Sequence, residues 1–149
     1  MALRNRALYF AEHKQYREAR IDIEKAIRLN PEHPVYYDIL GSIFLAMSDY
    51  DRALQSYDKV IALDSSSVLT YINRGYIYSQ KKEFDKALRD YSLGLILDPG
   101  NIQARLNRVY VYRDLQEWSK AREDAEYIFK KYPKTLAAQK LYQKIYRHD

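Results

Sequence analysis

The chain has 149 residues, 47% apolar content, no cysteine and a formal net charge of +5. The apolar share excludes a disordered chain, which buries too little surface to offset its conformational entropy, and the missing thiols exclude a disulfide framework and thiolate chemistry. With only 4 glycines and 4 prolines the chain lacks the turn residues of an all-β fold, while the helix formers Leu, Ala, Lys, Arg, Glu and Gln abound, so the composition predicts an all-α domain.

The N-terminal stretch Met1-Ala2-Leu3-Arg4-Asn5-Arg6 is charged at once, and no apolar run reaches the length of a signal core or a membrane span. No membrane partner and a cytoplasmic location are therefore expected. The positive excess is uneven: residues 1–101 carry 14 basic and 14 acidic side chains, residues 102–149 carry 11 and 6.

Taken in chain order, one pattern returns every 34 residues. The first copy, about 1–33, has Ala7 and Phe10, then Tyr16 with Ala19 three residues on, then Pro31. The second, 34–67, repeats this as Gly41, Phe44, Tyr50 with Ala53, and Ser65. The third, 68–101, reads Gly75, Tyr78, Phe84 with Ala87, and Pro99; the fourth, 102–134, reads Val109, Tyr112, Trp118 with Ala121, and Pro133.

Within each copy the spacings of three, four and seven residues place these positions along one face of a helix. In the third copy Tyr71, Arg74, Gly75 and Tyr78 share a face of a first helix over about 69–80, and Ala87, Tyr91, Gly94 and Leu95 line a second over about 85–97. Pro99-Gly100 ends that helix, because Pro cannot continue the hydrogen-bond ladder and Gly accepts left-handed backbone. A fifth phase over 135–147 has an apolar stripe of Ala138, Leu141, Tyr142 and Ile145 and a basic one of Lys140, Lys144 and Arg147. It is read as a capping helix over the last hairpin. At the other end the first helix starts almost at Met1, and Leu3 and Phe10 have no preceding repeat to meet, which suggests a piece of a longer array or an end that contacts itself.

Small residue, aromatic, aromatic-x-x-Ala and Pro in phase over nearly the whole chain resemble the tetratricopeptide repeat. That resemblance implies one domain over 1–149, a right-handed superhelical solenoid of antiparallel helix pairs made of four 34-residue units and a C-terminal capping helix. Ala7 and Val109 stand where the family's small glycine is usual. Lys14, Ser48, Lys82 and Gln116 occupy the tight turn where the family often has Gly, at about 1 kcal/mol for each residue forced to positive φ.

The resemblance also implies a concave groove lined by the first helix of each pair, for an extended peptide or partner segment, with the chain acting as adapter or scaffold. The groove positions of interest are Asn5; Ile39; Leu69, Ile72, Asn73 and Tyr76; Leu106, Asn107, Tyr110 and Arg113; and Lys140 and Lys144. Asn5, Asn73 and Asn107 fall in one column interrupted by Ile39. An Asn amide offers two donors and an acceptor and so can pair with both groups of a peptide bond, and Tyr supplies amphipathic contact area with few rotors to freeze. The alternative is that these amides bond within their own hairpins and that the tyrosines pack between repeats. The two-carboxylate clamp with which the family holds chaperone tails, Lys, Asn, Asn, Lys and Arg across three repeats, is missing. Its positions read Arg4, Leu8, Ile39, Leu69 and Asn73, or Asp38, Ser42, Asn73, Gln103 and Asn107. Lys140, Lys144 and Arg147, with Arg113, suit an acidic segment of a partner, or else form a solvated face at a helix C-terminus.

No phosphate loop, metal-spaced histidine pair or nucleophile motif occurs, so neither an enzyme nor a cofactor is expected. His13, His33 and His148 are scattered over turns and a terminus. Asp22, Asp58 and Asp90 alternate with Lys and Arg on second helices and are expected to face solvent as ion pairs. Self-association through the open first helix and apolar groove residues is the rival reading. Nucleic-acid binding is disfavoured, since the basic excess lies at one end beside acidic residues.

Overall fold

The computed structural model of the protein describes residues 2–147; His148 lies outside them. Among these residues the regular structure is helical throughout: α1 (Ala2–Glu12), α2 (Tyr16–Leu29), α3 (Pro34–Ala46), α4 (Tyr50–Leu63), α5 (Val68–Gln80), α6 (Phe84–Leu97), α7 (Ile102–Asp114), α8 (Trp118–Lys131) and α9 (Leu136–Tyr146). Two compact units are formed, Met1–Ile77 and Tyr78–Asp149, with the boundary inside α5. In the first unit α1 packs on α2, α2 on α3 and α3 on α4; in the second, α6 packs on α7, α7 on α8 and α8 on α9.

The turn that joins the helices of a pair is the same four times. Lys14, Ser48, Lys82 and Gln116 all sit at φ of 59–60°. Each follows a helix and directs its N–H to the carbonyl three residues back, Lys14 to Ala11 at 3.0 Å, while the next residue reaches five back, Gln15 to Phe10 at 2.8 Å. This pairing satisfies the carbonyls left over at a helix end. The next residue then opens the following helix: Gln15, Asp49, Glu83 and Glu117 accept from the N–H of Ala19, Ala53, Ala87 and Ala121 at 3.0–3.1 Å. With one residue ending a helix and the next starting another, the reversal leaves room only for Ala, and all four alanines are 0% exposed.

A second constraint joins the helices of a pair. Gly41 lies so close to the ring of Tyr57 that a Cβ there would stand 2.7 Å from Tyr57 Cε1. In the first pair the same two positions hold Ala7 and Ile23, in the fourth Val109 and Ala125, all four in the core. The residue on the first helix grows as the one on the second shrinks, keeping the filled volume roughly level, as close packing demands. Ala7 and Val109 are thus the complements of Ile23 and Ala125, which removes the need for Gly at those two positions. Leu3 and Phe10 are half-buried against the core of Ala7, Ala19, Ile23 and Ala26 in their own unit.

The expectation that Asp22 and Asp90 face solvent is overturned. Asp22, Asp90 and Asp124 are 2%, 1% and 0% exposed, and only Asp58 of the expected group is exposed. A carboxylate one position before an apolar core residue lies at the edge of the buried face, and Asp22 and Asp124 there meet arginines on the first helix of their own pair. Arg6 donates Nε and Nη2 to Asp22 at 2.5 and 2.7 Å. Arg108 donates Nε and Nη2 to Asp124 at 2.6 and 2.8 Å, joined by Arg105 Nη1 at 2.7 Å. The Arg6 guanidinium holds the Asp22 carboxyl below its ordinary value, against the opposing effect of burial. In the second pair the corresponding residues are Leu40 and Ser56, and Ser56 Oγ donates to its own helix at Arg52 O, 2.9 Å.

The loops between pairs share one further bond. Tyr37 donates to the Pro31 carbonyl at 2.8 Å, Arg105 to that of Pro99 at 3.0 Å and Gln139 to that of Pro133 at 3.0 Å. Three unlike side chains in one column thereby tie off three equivalent turns. On α9, Tyr146 donates its hydroxyl to Glu126 of α8, and Tyr142 stacks on Phe129 with centroids 4.7 Å apart.

Two outcomes follow for stability. Lys82→Gly removes the strain of a side chain at positive φ and raises the unfolding free energy by about 0.5–1 kcal/mol, read as an upward shift of the urea midpoint. Asp124→Ala strands two enclosed guanidinium groups and costs about 3–5 kcal/mol, whereas Arg105→Tyr, Arg108→Leu and Asp124→Ser together, which copy Tyr37, Leu40 and Ser56 of the second pair, cost much less in the same urea titration.

Candidate functional site

The first helices of the pairs, whose buried edges are spent on packing, leave one edge each open. In the first unit α1 and α3 border a cavity of about 270 Å³ lined by Leu8, Ala11, Tyr16, Asp38, Ile39, Ser42, Ile43 and Ala46. In the second unit α7, α8 and α9 border one of about 210 Å³ lined by Ile102, Leu106, Tyr110, Ile128, Tyr132, Thr135, Ala137, Ala138 and Leu141. Both are mainly apolar and open to solvent.

The expected groove residues divide. Leu69, Tyr76 and Tyr110 are 59%, 38% and 41% exposed, large for apolar or aromatic side chains, and Lys140 and Lys144 project from α9 into solvent. Leu106 and Tyr110 line the second unit's cavity, and Ile39, though 8% exposed, forms part of the wall of the first. Ile72 is 4% exposed and belongs to the interior, because its face of α5 turns inward between Tyr71 and Gly75, both also buried.

The three asparagines are not equivalent. Asn5 is exposed and accepts from Arg4 Nε and Nη2, both at 3.3 Å. Asn107 is half-buried and its Oδ1 accepts from Gln103 Nε2 at 2.8 Å, which leaves its amide N–H groups pointing away from that bond. Asn73 stands near the Tyr57 hydroxyl, a group that pairs with Ser42 Oγ at 3.3 Å. Burial, chiefly, pushes the Tyr57 phenol up to about 12, with the Asp38 charge adding to it and the polar groups of Ser42 and Asn73 opposing it. Asn73 therefore sits beside a core tyrosine as well as on the open face. Arg113 lies 5.2 Å over the Tyr110 ring and spends its Nη2 on Asp114 at 2.7 Å.

A polar chain in the first unit escaped the sequence. Ser67 Oγ pairs with Thr70 Oγ1 at 2.8 Å, and Thr70 Oγ1 donates to Asp38 Oδ1 at 3.1 Å, joining α5 to α3. Its signal is a Thr in the column of Tyr36, Ala104 and Ala138, and an Asp in the column of Ile72 and Leu106. Burial pushes the Asp38 carboxyl above its ordinary value despite the Thr70 bond. Among the described residues no group of three or more His, Cys, Asp or Glu is placed to hold a metal ion, and no helix is long and apolar enough to cross a membrane. His13 bonds the Tyr9 carbonyl at 2.8 Å and His33 stacks on Tyr36, neither beside a nucleophile.

Paired helices in 34-residue phase, the repeated turn and the open first-helix faces define a class of helical-repeat protein. Models described as tetratricopeptide repeat match residues 1–33 and 68–101, and one described as TPR repeat matches 41–82. The chain belongs to the tetratricopeptide repeat family. Among curated proteins none matches the sequence. Solved structures resemble it in fold. The MamA protein is 18% identical with a TM-score of 0.88, over 98% of this chain and 80% of that one. A tetratricopeptide repeat protein from Parabacteroides merdae is 24% identical at 0.84, over 98% and 59%. The first TPR of Spaghetti (RPAP3), bound to the HSP90 peptide SRMEEVD, is 24% identical at 0.71, over 76% and 90%. At these identities the likeness is one of fold.

Because Asn73 stands beside the buried Tyr57 hydroxyl and Asn107 bonds Gln103 at the surface, the two part company on substitution. Asn73→Ala lowers stability by about 1 kcal/mol by taking a polar neighbour from that hydroxyl. Asn107→Ala stays within about 0.5 kcal/mol of the parent chain, as surface changes do, both read from thermal melts.

Proposed function

We propose that the chain is a non-catalytic interaction module whose first-helix faces take an extended segment of a partner polypeptide. The observation that carries this is the pairing, on α7, of an exposed Tyr110 with Asn107 beside an apolar cavity. A solvated loop needs neither, while a bound strand uses both: the tyrosine ring and Leu106 cover a side chain, and the Asn107 amide pairs with a peptide bond for about 0.5–1.5 kcal/mol per hydrogen bond. In the first unit Leu69 and Tyr76 offer the same kind of surface on α5. Lys140 and Lys144, exposed on α9, suit an acidic residue of the partner. Proteins similar in fold support the reading through what they hold: the first TPR of Spaghetti is bound to an HSP90 peptide, and the Naa15/Naa10 structure is bound to HypK-THB. The peptide SRMEEVD ends in carboxylates, and this chain lacks the clamp residues for such a tail, so its partner is of another kind. On this view the whole of 1–149 serves as one domain, the 34-residue units placing one open face per pair.

The experiment is capture of a partner by the full chain, identification of the bound segment, and titration of that segment as a synthetic peptide. Asn107→Ala combined with Tyr110→Ala is expected to weaken binding at least tenfold with the melting point nearly unmoved. Unaltered affinity in that variant sinks the proposal.

A further inference from the structure

Two enclosed carboxylates have guanidinium partners: Asp22 has Arg6, and Asp124 has Arg105 and Arg108. Asp38 differs from both. It is half-buried on α3, its bond is the one accepted from Thr70, and among the described residues no lysine or arginine nitrogen lies within salt-bridge distance of it. It lines the first unit's cavity, where the other walls are Leu8, Ala11, Ile39, Ile43 and Ala46, with Tyr16 and Ser42. Holding α3 to α5 through Thr70 requires an acceptor and no charge, which Asn would provide. A carboxylate in a partly dry site with no cation loses hydration, and the one bond from Thr70 does not make up for it.

We infer that this cavity is a subsite for a lysine or arginine side chain of the bound segment, with the aliphatic stem on Leu8, Ile39 and Ala46 and the cationic head on Asp38. Charge complementarity chooses the occupant: an apolar side chain would leave the carboxylate dry and alone, and an acidic one would repel it. Lys and Arg carry a long apolar stem that lies along such walls while the charge stays at the rim. The inference rests on the proposed binding of an extended segment and adds the chemistry of one of its positions.

The test uses two blocked peptides, acetyl-Ser-Leu-Ala-Lys-Leu-Ser-Ala-amide and the same peptide with norleucine for lysine, titrated into the full chain by NMR with the signals of Ile39, Ser42 and Ala46 followed. The lysine peptide is expected to shift these signals and to bind at least tenfold more tightly than its norleucine twin. Asp38→Asn, which keeps the Thr70 bond, should melt no lower than the parent and bind the two peptides alike. Equal affinities in the parent chain, a preference for lysine that survives Asp38→Asn, or no shift at these three signals overturns the inference. None of these touches the binding of a captured partner through Asn107 and Tyr110, so the wider reading stands or fails on its own experiment.

Discussion

Residues 16 apart in the chain face each other across a helix pair, and that one geometric relation organises the molecule. It follows from the tight reversal at the positive-φ residue, which fixes where the second helix begins and therefore which of its turns meets which turn of the first. Ala7 and Ile23, Gly41 and Tyr57, and Val109 and Ala125 occupy this relation among the apolar residues. Arg6 and Asp22, and Arg108 and Asp124, occupy it one position earlier. Lengthening the turn by a single residue would rotate the second helix by about 100° and separate all these partners at once, given 3.6 residues per turn. The non-glycine residues at the turn carry their strain because the contacts on either side leave no other path for the backbone.

Much of this architecture is legible before any coordinates. The expected helices over 69–80 and 85–97 are Val68–Gln80 and Phe84–Leu97, and the expected cap over 135–147 is Leu136–Tyr146. Repetition explains this success: four copies of a weak signal, in phase, fix boundaries that a single copy leaves open. The burial of the aspartates is not legible in this way, because single-helix periodicity cannot tell a carboxylate that meets water from one that meets an arginine on a neighbouring helix. The clue lay in pairing two columns, Arg6 and Arg108 with Asp22 and Asp124, and charge alternation along one helix conceals it.

The open faces were legible only in outline. That Tyr76, Tyr110, Leu69, Lys140 and Lys144 would be exposed follows from their column, since the opposite column holds the core. That Asn73 would stand beside Tyr57 does not, because the tyrosine arrives from another helix and its hydroxyl must find a partner wherever the ring happens to end. The inward turn of Ile72 has the same origin. Both show where column logic stops: it assigns a direction to a side chain and says nothing of what comes to meet it.

The pairs are chemically unlike at an equivalent place, and this gives the molecule an uneven response to its solvent. Arg6 stands 57% in water over Asp22, whereas Arg108 is 18% exposed over Asp124, and the second pair has Leu40 and Ser56 instead of ions. Salt screens charges in water far more than enclosed ones and leaves apolar contacts intact. The Asp22 carboxyl titrates below its unfolded value, so what it contributes is complete above that value and is withdrawn as acid protonates it. Brine and acid therefore both loosen α1 and α2 ahead of α3 and α4. Amide exchange under those conditions should set in at the α1–α2 hairpin before the α3–α4 hairpin, an order encoded by how far Arg6 stands in water and by the Leu40 that takes its place in the second pair.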